Sequence, residues 1–141
     1  MNYRFGTRGD CPQIYDLICQ LEETVLPWDA FSRIWEKQMT NPDYLSLVCE
    51  EDGTILGVLN LRFEEQLHHA RYVAEIMELA VRPHLRGKGI GKALMTRACE
   101  ISREKGCLQL EVDCNLIRTD AHRFYQREGM KKSHYKFSME L

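Results

Sequence analysis

Between Tyr72 and Arg103 the sequence passes from a β-rich run, through a glycine-spaced loop, into an apolar period of helical spacing. That succession limits the folds open to the chain more than any other feature. Tyr72 to Val81 reads as a long strand that Pro83 terminates, since proline cannot donate to a β-ladder. Arg86-Gly87-Lys88-Gly89-Ile90-Gly91 follows at once, and Ile90, Leu94, Ala98 and Ile101 then mark one side of a helix closed by Lys105-Gly106. A strand feeding a helix through such a loop gathers unpaired backbone N–H groups and the positive helix end at one point. Glycine at 87, 89 and 91 removes the Cβ atoms that would keep phosphate oxygens away, and Arg86, Lys88 and Lys92 add positive charge. The segment is an anion cradle.

Two familiar phosphate binders are excluded by spacing. A Walker A loop needs glycine where Arg86 stands and Ser or Thr where Ala93 stands. The dinucleotide fingerprint fails because its third glycine would fall on Lys92 or Leu94. What remains is Arg-x-x-Gly-x-Gly.

The elements around the cradle alternate between the two periods. Tyr3, Phe5 and Thr7 suggest a short first strand; Asp10 reads as an N-cap, with Pro12 in the first turn of a helix ending near Glu23. A second helix runs from about Asp29, with Phe31, Ile34, Trp35 and Met39 on one side, until Asn41-Pro42 stops it. Tyr44 to Glu50 and Ile55 to Phe63 flank Asp52-Gly53, a strong hairpin signal, and Leu67 to Arg71 is a polar loop. Cys107 to Cys114 alternates as a strand, a short helix spans about Ala121 to Arg127, and Tyr135, Phe137 and Met139 alternate in a last strand. The expectation is one mixed α/β domain over residues 1–141, with no repeat and no linker.

Composition narrows the function classes. A formal charge of -2 with both signs interspersed offers no broad basic field for nucleic acid or anionic lipid, so neither nucleic acid nor a membrane is expected as a partner. The six cysteines form no CxxC pair and no signal peptide precedes them, which reads as free thiols in a cytoplasmic protein. No apolar run approaches the roughly 18 residues of a membrane span.

The loop Arg86 to Gly91, preceded by Leu79-Ala80-Val81-Arg82-Pro83, closely resembles motif A of the GNAT N-acetyltransferases. That resemblance implies a mixed central sheet of six to seven strands with about four helices, splayed between the fourth and fifth strands. It also implies acetyl-CoA as co-substrate. Gly87, Lys88, Gly89, Ile90, Gly91 and Lys92 would then bind the pyrophosphate with Arg86, while the main chain of Leu79, Ala80 and Val81 would meet the pantetheine arm and acetyl carbonyl.

Ala121-His122-Arg123-Phe124-Tyr125-Gln126-Arg127-Glu128-Gly129 resembles the family's motif B, with Ala121 and Phe124 at the cofactor helix. Tyr125 is the implied general acid, since a phenol near the sulfur can protonate the departing CoA thiolate. Many relatives carry Asn seven residues before that tyrosine; here Arg118 stands there with Asn115 nearby, and either is a candidate CoA contact. The attacking amine needs a base, for which Glu75 and Glu78 are the candidates. The resemblance favours Glu75. Simple alternation places the two carboxylates on opposite faces unless a bulge intervenes.

Further stretches look like the aminoalkylphosphonate N-acetyltransferases: Ile14 to Leu21, Leu67-His68-His69, Glu75 to Leu79, and Asp120 to Tyr125 on through Ser133 to Phe137. The implied activity is acetyl transfer to the primary amine of a small molecule by direct attack. That subfamily uses a divalent metal, which makes His68, His69, Glu75 and Glu78 weak candidate ligands, although adjacent histidines point opposite ways on an extended chain. Related enzymes often pair through their C-terminal strands, so a homodimer is an expectation of the resemblance. A protein or peptide N-acetyltransferase and a non-catalytic acyl-CoA-binding module stand as the alternatives.

Overall fold

In the computed structural model, which describes residues 1–141, the strands line up in sequence order across one mixed sheet. β1 (Asn2–Phe5), β2 (Tyr44–Glu51), β3 (Thr54–Gln66) and β4 (Arg71–Val81) pair antiparallel, and β5 (Leu110–Val112) lies beyond β4. Helices α1 (Cys11–Glu22) and α2 (Trp28–Met39) follow β1, α3 (Ile90–Glu104) follows β4, and α4 (Thr119–Arg127) follows β5. The chain forms two compact units, Met1–Glu111 and Val112–Leu141.

In the first unit the turn between β2 and β3 is made by Asp52 (φ 50°) and Gly53 (φ 78°), the doubly left-handed geometry that an Asp-Gly pair favours. The resulting register sets Val48 opposite Val58, and Val58 opposite Ala80. These three form a floor for Cys11, Ile14, Leu17 and Ile18 of α1 and Trp35 of α2. On the other face, Ile90, Leu94, Met95, Ala98 and Ile101 are the buried positions of α3. Gly57 lets that helix come close: a Cβ there would lie 3.0 Å from Ile90 Cγ2. Ile14 and Leu59 are wholly buried, so truncating either to Ala should cost about 2–5 kcal/mol.

Asp10 does hold the residue before α1, but its carboxylate does not cap that helix. It turns back to accept 2.7 and 2.9 Å hydrogen bonds from the Arg4 guanidinium and one of 2.7 Å from Thr7 N–H. Arg4 Nε in turn donates to Glu50 at 2.5 Å. The ion pair with Arg4 holds the Asp10 carboxyl below its ordinary value, and the arrangement ties β1 to the start of α1. Ile34 is half exposed; Trp35, with Phe31 and Met39, forms the inner side of α2.

Two expected strands are shorter or missing. β5 covers three residues instead of the whole stretch from Cys107 to Cys114. Leu108 N–H and Gln109 C=O bond to Tyr72 and Ala74 just ahead of it. In the second unit, residues 130–141 form no regular element, and Tyr135, Phe137 and Met139 are 78%, 93% and 84% exposed. Alternation marks a segment able to lie half-buried on a sheet; it does not supply the edge that a strand must pair with. The sheet therefore has five strands, not six to seven.

Candidate active site

β4 leads directly into the cradle. Its exit is anchored where Arg82 N–H and Nε donate to Leu56 and Ile55 carbonyls at 2.9 and 2.8 Å. A 3-10 turn over Pro83–Leu85 then delivers the glycine loop. Gly87 (φ 79°) and Gly89 (φ 87°) take left-handed conformations, and nothing lies within 4 Å of where their Cβ atoms would be. The loop is thus open at the two points where side chains would otherwise stand. The first bond inside α3 runs from Ala93 N–H to Gly89 C=O at 3.0 Å, which leaves the N–H groups of Ile90, Gly91 and Lys92 without an i−4 carbonyl. Arg86, Lys88 and Lys92 are exposed around them. Backbone donors, a helix end and three cations in an uncluttered loop fit a pyrophosphate.

Upstream on the same strand, Leu79, Ala80 and Val81 pair with Leu59, Val58 and Gly57. β5 has only three residues against the eleven of β4, and the bonds just ahead of it, from Leu108 and Gln109, fall at Tyr72 and Ala74. The far edge at Leu79 to Val81 therefore has no strand of this sheet beside it, leaving main-chain groups for a ligand arm.

The two candidate bases lie on one face. Asn60 pairs with Glu78 and Arg62 with Glu75, but Leu61 pairs with Ile76, so Met77 is the extra residue of a bulge. Met77 is 40% exposed, and its extrusion cancels the alternation that would have separated the glutamates. Both side chains lie on the face that carries α1 and α2. Asn60 Nδ2 donates to Glu78 Oε1 at 2.8 Å, and Arg62 Nη2 donates to Glu75 Oε1 at 2.8 Å. Burial pushes the Glu78 carboxyl above its ordinary value, against the Asn60 hydrogen bond and with help from Glu22 on α1. A carboxyl so raised takes up a proton more readily than an ordinary carboxylate, which is what a base requires.

Arg62 also lies 3.6 Å from Glu64 and borders a cleft of about 500 Å³ where Asp43, Tyr44, Glu65 and Tyr72 converge. Carboxylates outnumber the single guanidinium there. His68 and His69 sit in the turn between β3 and β4; their rings are 4.3 Å apart, and His69 Nδ1 meets Gln66 Oε1 at 2.7 Å. No group of three or more His, Cys, Asp or Glu is placed to hold a metal, so the four weak candidates do not assemble.

In the second unit, Asn115 organises the turn before α4. Its Oδ1 accepts from Ile117 N–H at 3.1 Å, and its carbonyl accepts from Arg118 N–H at 3.0 Å and meets His122 Nε2 at 2.8 Å. Arg118 stands at the N-cap position of α4, with Ala121 inside its first turns. Phe124 and Tyr125 meet edge to face at 5.3 Å between centroids. Burial and the nearby Cys114 push the Tyr125 phenol up to about 12, only partly countered by Arg118. The hydroxyl thus keeps its proton across the physiological range, as a general acid must.

Sequence reasoning missed the partners of the glutamates. Asn60 and Ser46 are each 4% exposed, in strands otherwise filled with apolar residues. The signal was present: Asn60 and Arg62 interrupt the run Ile55 to Phe63 at i, i+2 spacing, which puts two polar groups on one face of a buried strand.

Comparison with known proteins identifies the family and the fold. Residues 11–130 match the acetyltransferase (GNAT) family. The chain is 37% identical over 138 residues to the aminoalkylphosphonate N-acetyltransferase of Salmonella typhimurium, covering 98% of this chain and 90% of the relative. Its fold superposes on a transcriptional regulator from Bacillus halodurans C-125 with a TM-score of 0.90 at 26% identity, covering 99% of both chains. An acetyltransferase from Trypanosoma brucei gives 0.82 at 26% identity, again over 99% of both.

Proposed function

Because the chain belongs to the acetyltransferase (GNAT) family, we propose that it transfers acetyl from acetyl-CoA to the primary amine of a small molecule, with an aminoalkylphosphonate as the first candidate acceptor. The observation that carries this reading is the continuity of β4. One strand bears a half-buried carboxyl at Glu78, raised above its ordinary value, and runs through Leu79 to Val81 into an open anion cradle. A base and a donor-binding loop are thus held on one rigid segment. We read 1–141 as a single functional domain, since the family match runs across both compact units.

In this mechanism Gly87 to Lys92 bind the pyrophosphate with Arg86, and Leu79, Ala80 and Val81 orient the pantetheine arm through main-chain bonds. Ala121, Phe124, and Asn115 or Arg118 complete the cofactor contacts. Glu78 takes the proton as the amine nitrogen attacks the acetyl carbonyl, and Tyr125 gives a proton to the departing thiolate. Glu75, the base favoured by resemblance alone, is instead engaged by Arg62. The six free cysteines suit a reducing, cytoplasmic setting, and a homodimer belongs to the same reading.

A second acceptor class has its own support. The cleft beside Arg62 carries Asp43, Glu64 and Glu65, and Arg62 already faces two carboxylates, so an acceptor with additional positive charge would be favoured electrostatically. The deciding experiment follows thiol release from acetyl-CoA across aminoalkylphosphonates, polyamines, amino acids and peptides. Phosphonate turnover well above the rest is the expected result, polyamine turnover would favour the second class, and peptide-only turnover a protein acetyltransferase. No release with any amine, despite CoA binding, would mark a non-catalytic module.

A further inference from the structure

Ser46, Asn60 and Glu78 are consecutive cross-strand partners on β2, β3 and β4, forming a polar row across the α1 and α2 face. Buried polar atoms normally have partners, because an unpaired one costs free energy. Three here have none within the protein: Ser46 Oγ, Asn60 Oδ1 and Arg62 Nε. All three lie on this face, in two adjacent registers beside the glutamates. Ser46 is packed closely on one side, since a Cβ on Gly6 would come within 2.9 Å of its Oγ.

The chemistry of the three groups accounts for the row. A base is a carboxylate before it takes a proton and a carboxylic acid afterwards, so a neighbour that can only donate serves just one of those states. An amide can serve both. With Nδ2 toward Glu78, Asn60 donates to the carboxylate, as observed at 2.8 Å; turned by half a rotation, its Oδ1 accepts from the acid O–H. Ser46 Oγ is also both donor and acceptor; it is not hydrogen-bonded to Asn60 in this structure, but it stands in the register opposite and matches chemically whichever end of the amide points away from Glu78.

We propose that Asn60 and Ser46 are positioning residues, an amide and hydroxyl pair that reorients as Glu78 gains and loses the amine proton. The proposal rests on Glu78 being the base. In the step, the nitrogen lone pair forms the new bond to the acetyl carbon, an N–H bond breaks with its proton passing to a Glu78 carboxylate oxygen, the thioester C–S bond breaks with its electron pair leaving on the CoA sulfur, which takes a proton from Tyr125, and Glu78 later releases its proton to solvent. Other charged or titratable groups around Glu78 are Glu22 of α1, Arg62 of β3 and Glu75 of β4, with Tyr44 of β2 in the register of Arg62.

The test is a carbon-13 NMR titration of the Glu78 carboxyl, assigned by its loss in Glu78→Gln, in the wild-type enzyme, Asn60→Ala and Ser46→Ala. Turnover with 2-aminoethylphosphonate is followed alongside. Asn60→Ala should raise the Glu78 midpoint by about one pH unit, having lost the donor that favours the charged form. Ser46→Ala should move it the same way by less, and each variant should lower kcat about tenfold at neutral pH with the KM for acetyl-CoA unchanged. Midpoints in both variants that coincide with the wild type, in proteins that melt cooperatively, would overturn the proposal. If Asn60→Ala does not fold, Ser46→Ala, which removes one hydroxyl, carries the test. Full activity in Glu78→Gln would instead remove the assignment of the base. An inactive Glu78→Gln with unmoved midpoints in the other variants would sink this inference alone.

Discussion

Glu75 and Glu78 lie three residues apart on one strand yet face the same side of the sheet, because Met77 is extruded between them. The bulge gives them a shared face, and their partners then divide them. Glu75 is neutralised by Arg62 at 2.8 Å, whereas Glu78 receives only the neutral amide of Asn60 and is raised by burial.

The kinetic consequence separates the two. Glu78→Gln should lower kcat by about 10²–10⁴-fold and abolish the acidic limb of the pH profile, the range usual for loss of a general base. Glu75→Gln should keep the limb and reduce stability by about 1 kcal/mol, because Arg62 loses a partly exposed partner. Profiles of kcat/KM against pH for both variants check this. A retained limb in Glu78→Gln would transfer the role to Glu75.

Stability should move the other way at Glu78. Its folded pKa is raised, so the native state binds the proton more tightly than the unfolded chain does; the stabilisation is present below about pH 4.5 and is lost as pH rises through the folded value. Gln cannot ionise and escapes that loss. Thermal melts of Glu78→Gln should therefore lie about 2–5 °C above wild type at pH 8 and converge with it near pH 4. A lower melting temperature at pH 8 would contradict the burial argument.

The difference between legible and hidden features has a physical basis in these residues. The glycine loop, the α3 period and the Asp52-Gly53 turn are local, set by conformational freedom and spacing within a few residues, and the structure has them where the sequence places them. The Met77 bulge is not local. It exists only as a mismatch between β3 and β4, and no residue type announces it. Asp10 has the type and place of a helix cap; Arg4, six residues earlier, draws its carboxylate away. Tyr135, Phe137 and Met139 have the strand pattern, but pairing depends on an edge that pattern alone does not specify.

Tyr125→Phe should lower kcat by about 10²-fold while leaving the KM for acetyl-CoA nearly unchanged, since only the proton to the leaving thiolate is lost. With the phenol raised to about 12, wild-type stability from this group is complete below pH 10 and declines between about pH 10 and 12. The Phe variant should lack that decline, which denaturant melts across the alkaline range would reveal. Unchanged turnover in Tyr125→Phe would return the residue to a packing role.

At the cradle, strain and ligand contact can be told apart by comparing two glycines. Gly89→Ala places a side chain at φ 87° with nothing within 4 Å, so its structural cost is the left-handed backbone alone, about 1 kcal/mol. Its methyl group, however, stands beside the N–H groups that open α3, and calorimetric CoA affinity should fall about tenfold, one lost phosphate-amide contact. Gly57→Ala has ordinary backbone angles but meets Ile90 Cγ2 at 3.0 Å, so it should destabilise by about 1–3 kcal/mol through overpacking. CoA affinity measured well below the melting transition should change little in Gly57→Ala. If both variants lost affinity in proportion to stability, the loop would be a packing device; if only Gly89→Ala did, it is the donor site.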